Sequence, residues 1–197
     1  MAAALVTLLA LAPPLSKTSG IQPALLAAVV LFVVAAITDA ADGYLARKWQ
    51  AVSLFGRIMD PFADKLLVLG TLVMMAMPAF EIFNNGQPVM AAGFTGWMIV
   101  VILGRELLVT SIRGVFEARG IDFSASASGK AKMIAQSVAI PGCLLIAGLH
   151  GSQRPDWASW AVTLAAWGTT LVTAASAAPY ITRAVRAGGP DQAQESP

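Results

Sequence analysis

Asp39-Ala-Ala-Asp42-Gly43-Tyr-Leu-Ala46-Arg47, followed after eight residues by Gly56-Arg-Ile-Met-Asp60-Pro-Phe-Ala-Asp64, is the stretch on which the reading of this chain turns. It lies between two apolar runs, residues 21–38 and 66–80. A membrane-spanning helix needs about 20 mostly apolar residues. The first run predicts one, continuing through Arg47 toward the membrane surface. The second is the apolar part of the next helix, whose start carries Asp60 and Asp64. Pro61 is expected in its first turn, where a missing N–H is harmless. Asp39 and Asp42 are three residues apart and Asp60 and Asp64 four, so each pair shares a helical face. Two neighbouring helices can thus aim four carboxylates at one point.

Four like charges at the rim of a low-dielectric layer repel strongly, and cations among them relieve that repulsion. No histidine or cysteine is nearby in sequence, so the donor set is all oxygen, which suits Mg²⁺ or Mn²⁺ rather than zinc. One such pair alone would read as solvated aspartates at a helix end. Two pairs flanking a single short basic loop favour a metal site, because ionisable groups within membrane helices are functional by default. Gly43 and Gly56 lack side chains and Ala46 is small, which lets a helix or a ligand approach the backbone.

The rest of the chain agrees with a lipid environment. Of 197 residues, 57% are hydrophobic and 12% charged, and the mean hydropathy is +0.70. That charged share is about half that of an ordinary soluble domain. Further apolar helices are expected over residues 92–117, 133–149 and 157–181, and a short one over residues 1–15, limited by Pro13-Pro14. No basic segment precedes that first run, so a shortened first helix is preferred to a signal peptide. Residues 18–23, 84–88 and 151–155 read as turns. The expected fold is an all-α integral membrane protein, a six-helix bundle whose first helix is short or truncated. Residues 1–186 are expected to form a single transmembrane domain that carries the chemistry of the site, and residues 187–197 a disordered cytoplasmic tail.

Basic residues cluster on one side: Arg47, Lys48 and Arg57, then Arg113, Arg119, Lys130 and Lys132, then Arg183 and Arg186. The other side carries only Lys17 and Arg154, which places the basic loops in the cytoplasm. Trp97, Trp157 and Trp160 fall near the opposite helix ends, as an aromatic belt requires. A net charge of +2 gives no footing for nucleic acid. The single cysteine, Cys143, excludes an intrachain disulfide. The single histidine, His150, reads as a loop or interface residue, so serine–histidine chemistry has no well-placed base.

The pattern Asp-x2-Asp-Gly-x2-Ala-Arg-x8-Gly-x3-Asp-x3-Asp resembles that of the CDP-alcohol phosphotransferase family, with all eight fixed positions filled. The resemblance implies six membrane helices, a homodimer, a cytosol-facing cavity in the cell membrane and a reaction in which an alcohol displaces CMP from a CDP-linked lipid. It further implies that Asp39, Asp42, Asp60 and Asp64 bind two divalent ions, that Asp64 is also the base, that Asp42, Gly43, Ala46 and Gly56 meet the CDP-lipid, and that Arg47 meets its diphosphate.

A second polar group bears on the acceptor. Arg105 and Glu106 interrupt the fourth apolar segment, and Arg113 follows Arg105 by about two helical turns on the same face. Lys130 and Lys132 open the fifth helix. The lysines can be ordinary positive-inside anchors, but Arg105 with Glu106 sits too deep for that. Arg105, Arg113, Lys130 and Lys132 together suit a phosphate-bearing acceptor, with Glu106 orienting an arginine. The stretch Gly104-Arg-Glu-Leu-Leu-Val-Thr-Ser-Ile-Arg113, with Gly129-Lys-Ala-Lys132, resembles the phosphatidylglycerophosphate synthase branch. That implies CDP-diacylglycerol and glycerol 3-phosphate as substrates. One departure stands at the start: Thr7 is followed by Ala10 where the branch has an arginine. Cardiolipin synthesis and inositol-phosphate transfer are the alternatives within the family, and a divalent-cation transporter is the alternative outside it.

Overall fold

A computed structural model describes residues 2–17, 20–48, 54–84, 86–119 and 127–187. Helix α1 (Ala2–Leu11) and a 3-10 turn (Leu15–Lys17) lead to α2 (Pro23–Lys48) and α3 (Leu54–Met75). A second 3-10 turn (Pro78–Phe80) opens a hairpin of β1 (Glu81–Asn84) and β2 (Gln87–Met90). Then come α4 (Gly96–Ala118), α5 (Ala127–His150), α6 (Asp156–Ala175) and α7 (Ala178–Ala187). The protein is mostly helical, as the apolar runs predict.

The helices pack as their apolar seams direct. Leu25, Ala28, Phe32 and Ala35 repeat every three to four residues along α2 and are all buried. They join a core with Ile140, Cys143, Leu144 and Ala147 of α5, and α2 packs against α5. Gly148 permits the closest approach there: a Cβ on it would meet Leu26 Cδ2 at 3.0 Å and Leu25 Cβ at 3.2 Å. Leu5 and Leu9 of α1 fill the same core, and α1 packs on α2 and α3. Two buried hydroxyls are satisfied within their own helices: Thr71 donates to Leu67 O at 2.6 Å and Thr170 to Ala166 O at 2.8 Å.

The outer faces carry large apolar side chains. Val100 and Val138 are 68% exposed and Leu164 67%. Such a belt suits hydrocarbon rather than water. Among the described residues, two stretches are long and apolar enough to cross a membrane, Gly129–His150 and Asp156–Arg186. Shorter apolar helices run over Pro23–Thr38 and Lys65–Met75. Trp97 stacks at a tilt on Trp167, with centroids 5.2 Å apart, and His150 meets Trp157 edge-on at 5.8 Å. His150 thus has a packing partner at the end of α5.

Three expectations need correction. The chain is not purely helical: the turn expected at residues 84–88 is the tip of a two-stranded hairpin, with Asn84 opposite Gln87, Phe83 opposite Pro88 and Ile82 opposite Val89. Gly86 takes a φ of 77°, which the tight hairpin loop needs. Pro61 is not in the first turn of α3, because the helix already begins at Leu54, seven residues earlier. The apolar stretch 157–181 is not one helix. It breaks at Ser176–Ala177, because Pro179 has no N–H to continue the ladder of α6 and instead sits in the first turn of α7. Arg154, in the turn before α6, is a strut. It is partly buried, its guanidinium donates to Ala91 O at the end of the hairpin, and burial lowers its pKa below the usual arginine value.

Candidate functional site

At the end of the bundle that carries the aspartate positions, α3, α4, α5 and α7 surround an open cavity of about 550 Å³. Five cationic residues line it: Lys65 from α3, Arg105 and Arg113 from α4, and Lys130 and Lys132 from α5. Two carboxylates, Glu106 and Glu117, line it as well, leaving a formal charge of +3. Arg105 and Arg113 reach one cavity because eight residues make about two helical turns.

The floor is a buried ion triad. Glu106 Oε1 accepts from Arg105 Nη1 at 3.1 Å and from Lys132 Nζ at 2.7 Å. The Arg105 and Glu106 side chains are only 7% and 8% exposed. Arg105 Nη2 also donates to Ser176 O at 3.4 Å, at the carbonyl-rich C-terminus of α6 where partial negative charge collects. The Tyr180 ring centroid lies 5.8 Å from the guanidinium carbon of Arg105, within cation–π range. Arg105 is therefore held from α4, α6 and α7 at once. A polar seam runs on behind it, where Gln136 Nε2 donates to Thr173 Oγ1 at 3.3 Å.

The mouth is wetter. Arg113 Nη2 lies 3.5 Å from Glu117 Oε1, one turn on, with the side chains 42% and 59% exposed. Such a pair contributes little and gives way readily to a competing anion. Lys65 Nζ donates to Thr110 Oγ1 at 2.5 Å, tying α3 to α4.

All four cations expected from the sequence thus line one cavity, and Glu106 does orient an arginine. It also holds Lys132, which sequence spacing did not indicate. Lys65 and Tyr180 were missed. Lys65 was legible only as the basic residue directly after Asp64, and Tyr180 only as one of two tyrosines in the chain.

The aspartate set is placed by its helices alone. Asp39 and Asp42, with Gly43, Ala46 and Arg47, belong to α2; Gly56, Asp60 and Asp64 belong to α3. The side chains at these positions lie outside the described residues. Helices α2 and α3 are in contact. Four carboxylates stand at these positions in the sequence, with no histidine or cysteine among them, a chemistry that would fit a hard divalent cation.

Sequence comparison decides between an enzyme-like and a transporter-like lineage. The family model for CDP-alcohol phosphatidyltransferase matches residues 1–172. The chain belongs to the CDP-alcohol phosphatidyltransferase family. The match takes in the aspartate positions of α2 and α3 and the cationic cluster of α4 and α5, and stops short of α7. Among relatives within this phosphatidyltransferase family, the chain is similar to the CDP-diacylglycerol–glycerol-3-phosphate 3-phosphatidyltransferase of Bacillus subtilis, 38% identical over 61% of this chain and 55% of the relative. A protein of the same name from Mycoplasma genitalium is 35% identical over 61% of this chain and 45% of the relative. A Mycobacterium tuberculosis protein named as a probable phosphatidylglycerophosphate synthase is 35% identical over 79% of this chain and 65% of the relative. The chain spans about half the length of the first two.

Proposed function

We propose that the chain transfers a phosphatidyl group from CDP-diacylglycerol to glycerol 3-phosphate, giving phosphatidylglycerophosphate and CMP. The observation that carries this reading is the cavity of formal charge +3 next to the end of α3 that bears Asp60 and Asp64. A cationic cavity suits a small dianionic acceptor, and the names of the relatives identify such an acceptor for them. A neutral alcohol has no use for five cations.

Asp39, Asp42, Asp60 and Asp64 hold two divalent ions, Mg²⁺ or Mn²⁺, in this reading. These four carboxylates would hold the ions, whose positive charge would offset the negative charge of the diphosphate and of the departing CMP. The chain's own residues do the rest. Asp42, Gly43, Ala46 and Gly56 form the wall against which the cytidine end rests, and Arg47 meets the diphosphate. Arg105, Arg113, Lys130 and Lys132 fix the phosphate of glycerol 3-phosphate. Glu106 keeps Arg105 and Lys132 in place without repelling the ligand, because both cations already neutralise it. Asp64 takes the proton of the acceptor hydroxyl. The freed oxygen forms a bond to the phosphatidyl phosphorus, and the bond to the bridging oxygen of CMP breaks in line. Phosphoryl transfer needs this positioning and charge neutralisation more than covalent help.

In the same reading residues 1–186 form one catalytic unit of six membrane passes, working as a homodimer with the cavity toward the cytoplasm, and residues 187–197 are a cytoplasmic tail. The basic residues at the cavity end support that orientation. The two apolar stretches over α5 and α6–α7 support membrane insertion. The residues at 188–197 lie outside the described residues.

The test is a kinetic split. Arg113→Gln is expected to raise KM for glycerol 3-phosphate about tenfold or more, a loss of only about 1.4 kcal/mol. KM for CDP-diacylglycerol should stay within about twofold. If only the CDP-lipid KM moves, the cationic cluster serves the donor diphosphate and the acceptor assignment fails.

A further inference from the structure

Lys65, like Lys130, stands apart from the ion-paired cations of the cavity. Glu106 is paired with both Arg105 and Lys132, and Glu117 faces Arg113. Both cavity carboxylates are therefore committed elsewhere. Among the described residues Lys65 has no ion-pair partner; its bond is to a neutral hydroxyl, Thr110 Oγ1, at 2.5 Å. An ammonium has three donors and acts as a compact point charge. Thr110 takes one of the three.

The position matters as much as the charge. Lys65 lines the cavity from α3, while the other four cations line it from α4 and α5. Consecutive Cα atoms are about 3.8 Å apart, so the backbone of Lys65 adjoins that of Asp64, the base in the reading above. An anion bound by Lys65 lies on the α3 side of the cavity, the helix that also carries Asp64.

We propose that Lys65 is an acceptor-binding residue: its ammonium, seated on Thr110, closes the α3 side of the cavity and contacts the anionic group of the phosphorylated alcohol. This rests on the acceptor assignment made above and adds to it a residue from a third helix. Lys65 joins the two halves of the site. It holds the acceptor against α3, so that the hydroxyl to be deprotonated stays beside Asp64 while Arg113 and Lys130 hold the phosphate from α4 and α5. A bond to Thr110 alone would make Lys65 an interhelical tie, and the two roles respond differently to substitution.

The experiment separates charge from tie. Lys65→Gln keeps a donor for Thr110 and removes the charge; Thr110→Val keeps the charge and removes the tie. Purified variants are titrated with CDP-diacylglycerol and glycerol 3-phosphate, and their thermal unfolding is measured in detergent. The expected result is a rise of about tenfold in KM for glycerol 3-phosphate in Lys65→Gln, corresponding to about 1.4 kcal/mol, with KM for the CDP-lipid within twofold. Lys65→Arg should recover most of the loss, and it carries the test if Lys65→Gln does not fold. Thr110→Val should raise the acceptor KM less than Lys65→Gln does. A larger effect from Thr110→Val, or an effect of Lys65→Gln confined to unfolding temperature or to the CDP-lipid, overturns the proposal. Arg113→Gln and Lys130→Gln are run alongside. If they move the acceptor KM and Lys65→Gln does not, the Lys65 inference fails alone. If none of the three moves it, the acceptor assignment fails with it.

Discussion

Removing the Glu106 carboxylate should be the most damaging single change at the site. In Glu106→Ala, Arg105 and Lys132 lose the oxygen they share, at 3.1 and 2.7 Å. Both cations are largely buried, with side chains 7% and 13% exposed. Breaking a buried pair by removing one partner costs about 3–5 kcal/mol, mostly because the remaining charge is stranded. In a chain of this length about 1 kcal/mol moves the midpoint by roughly 2–4 °C, so the unfolding temperature should fall by about 6–20 °C. Glu106→Gln keeps an acceptor oxygen and should fall less. The assay is thermal unfolding of the purified protein in detergent, run as a double-mutant cycle with Lys132→Met. The double variant should recover about 0.5–3 kcal/mol relative to the sum of the single changes, as contacting residues do. A midpoint within 2 °C of the parent for Glu106→Ala, or strict additivity in the cycle, would refute the triad.

Other consequences are more local. Tyr180→Ala should raise KM for glycerol 3-phosphate several-fold by freeing Arg105, whereas Tyr180→Phe, which keeps the aromatic face, should lose less; equal loss in both would mean the ring does not steady the guanidinium. Asp39→Asn, Asp42→Asn and Asp60→Asn should each abolish transfer while the protein stays folded, and chelation of the parent should do the same, reversibly on adding Mg²⁺ or Mn²⁺. Retention of half the parental rate by any of the three variants would count against a shared metal cluster. Asp64→Asn should lower turnover more than it weakens CDP-lipid binding, because a base acts in the transition state.

What could be read from the sequence followed the range of its signals. The long helices were legible because their apolar runs and helical seams are local. Arg105 and Arg113 could be assigned to one face because eight residues fix the rotation between them. The hairpin was hidden because its strands are four residues each, and Pro88 argues against a strand except at an edge, which is where a two-stranded ribbon allows it. The break between α6 and α7 was marked only by Pro179, inside an otherwise continuous apolar stretch. Partners distant in sequence left no local trace. Thr110 lies 45 residues from Lys65, and Lys132 lies 26 from Glu106. The aspartate pattern was legible as spacing, and the structure adds the contact between the two helices that carry it.

The central claim is tested most directly by CMP release. Purified protein in detergent with Mg²⁺ or Mn²⁺ is given CDP-diacylglycerol and, in separate reactions, glycerol 3-phosphate, inositol phosphate, phosphatidylglycerol or no acceptor. The account predicts CMP release that depends on glycerol 3-phosphate, is small with the other acceptors, and disappears in Asp60→Asn. Equal release with phosphatidylglycerol, or no release with any acceptor from folded, metal-loaded protein, would contradict it.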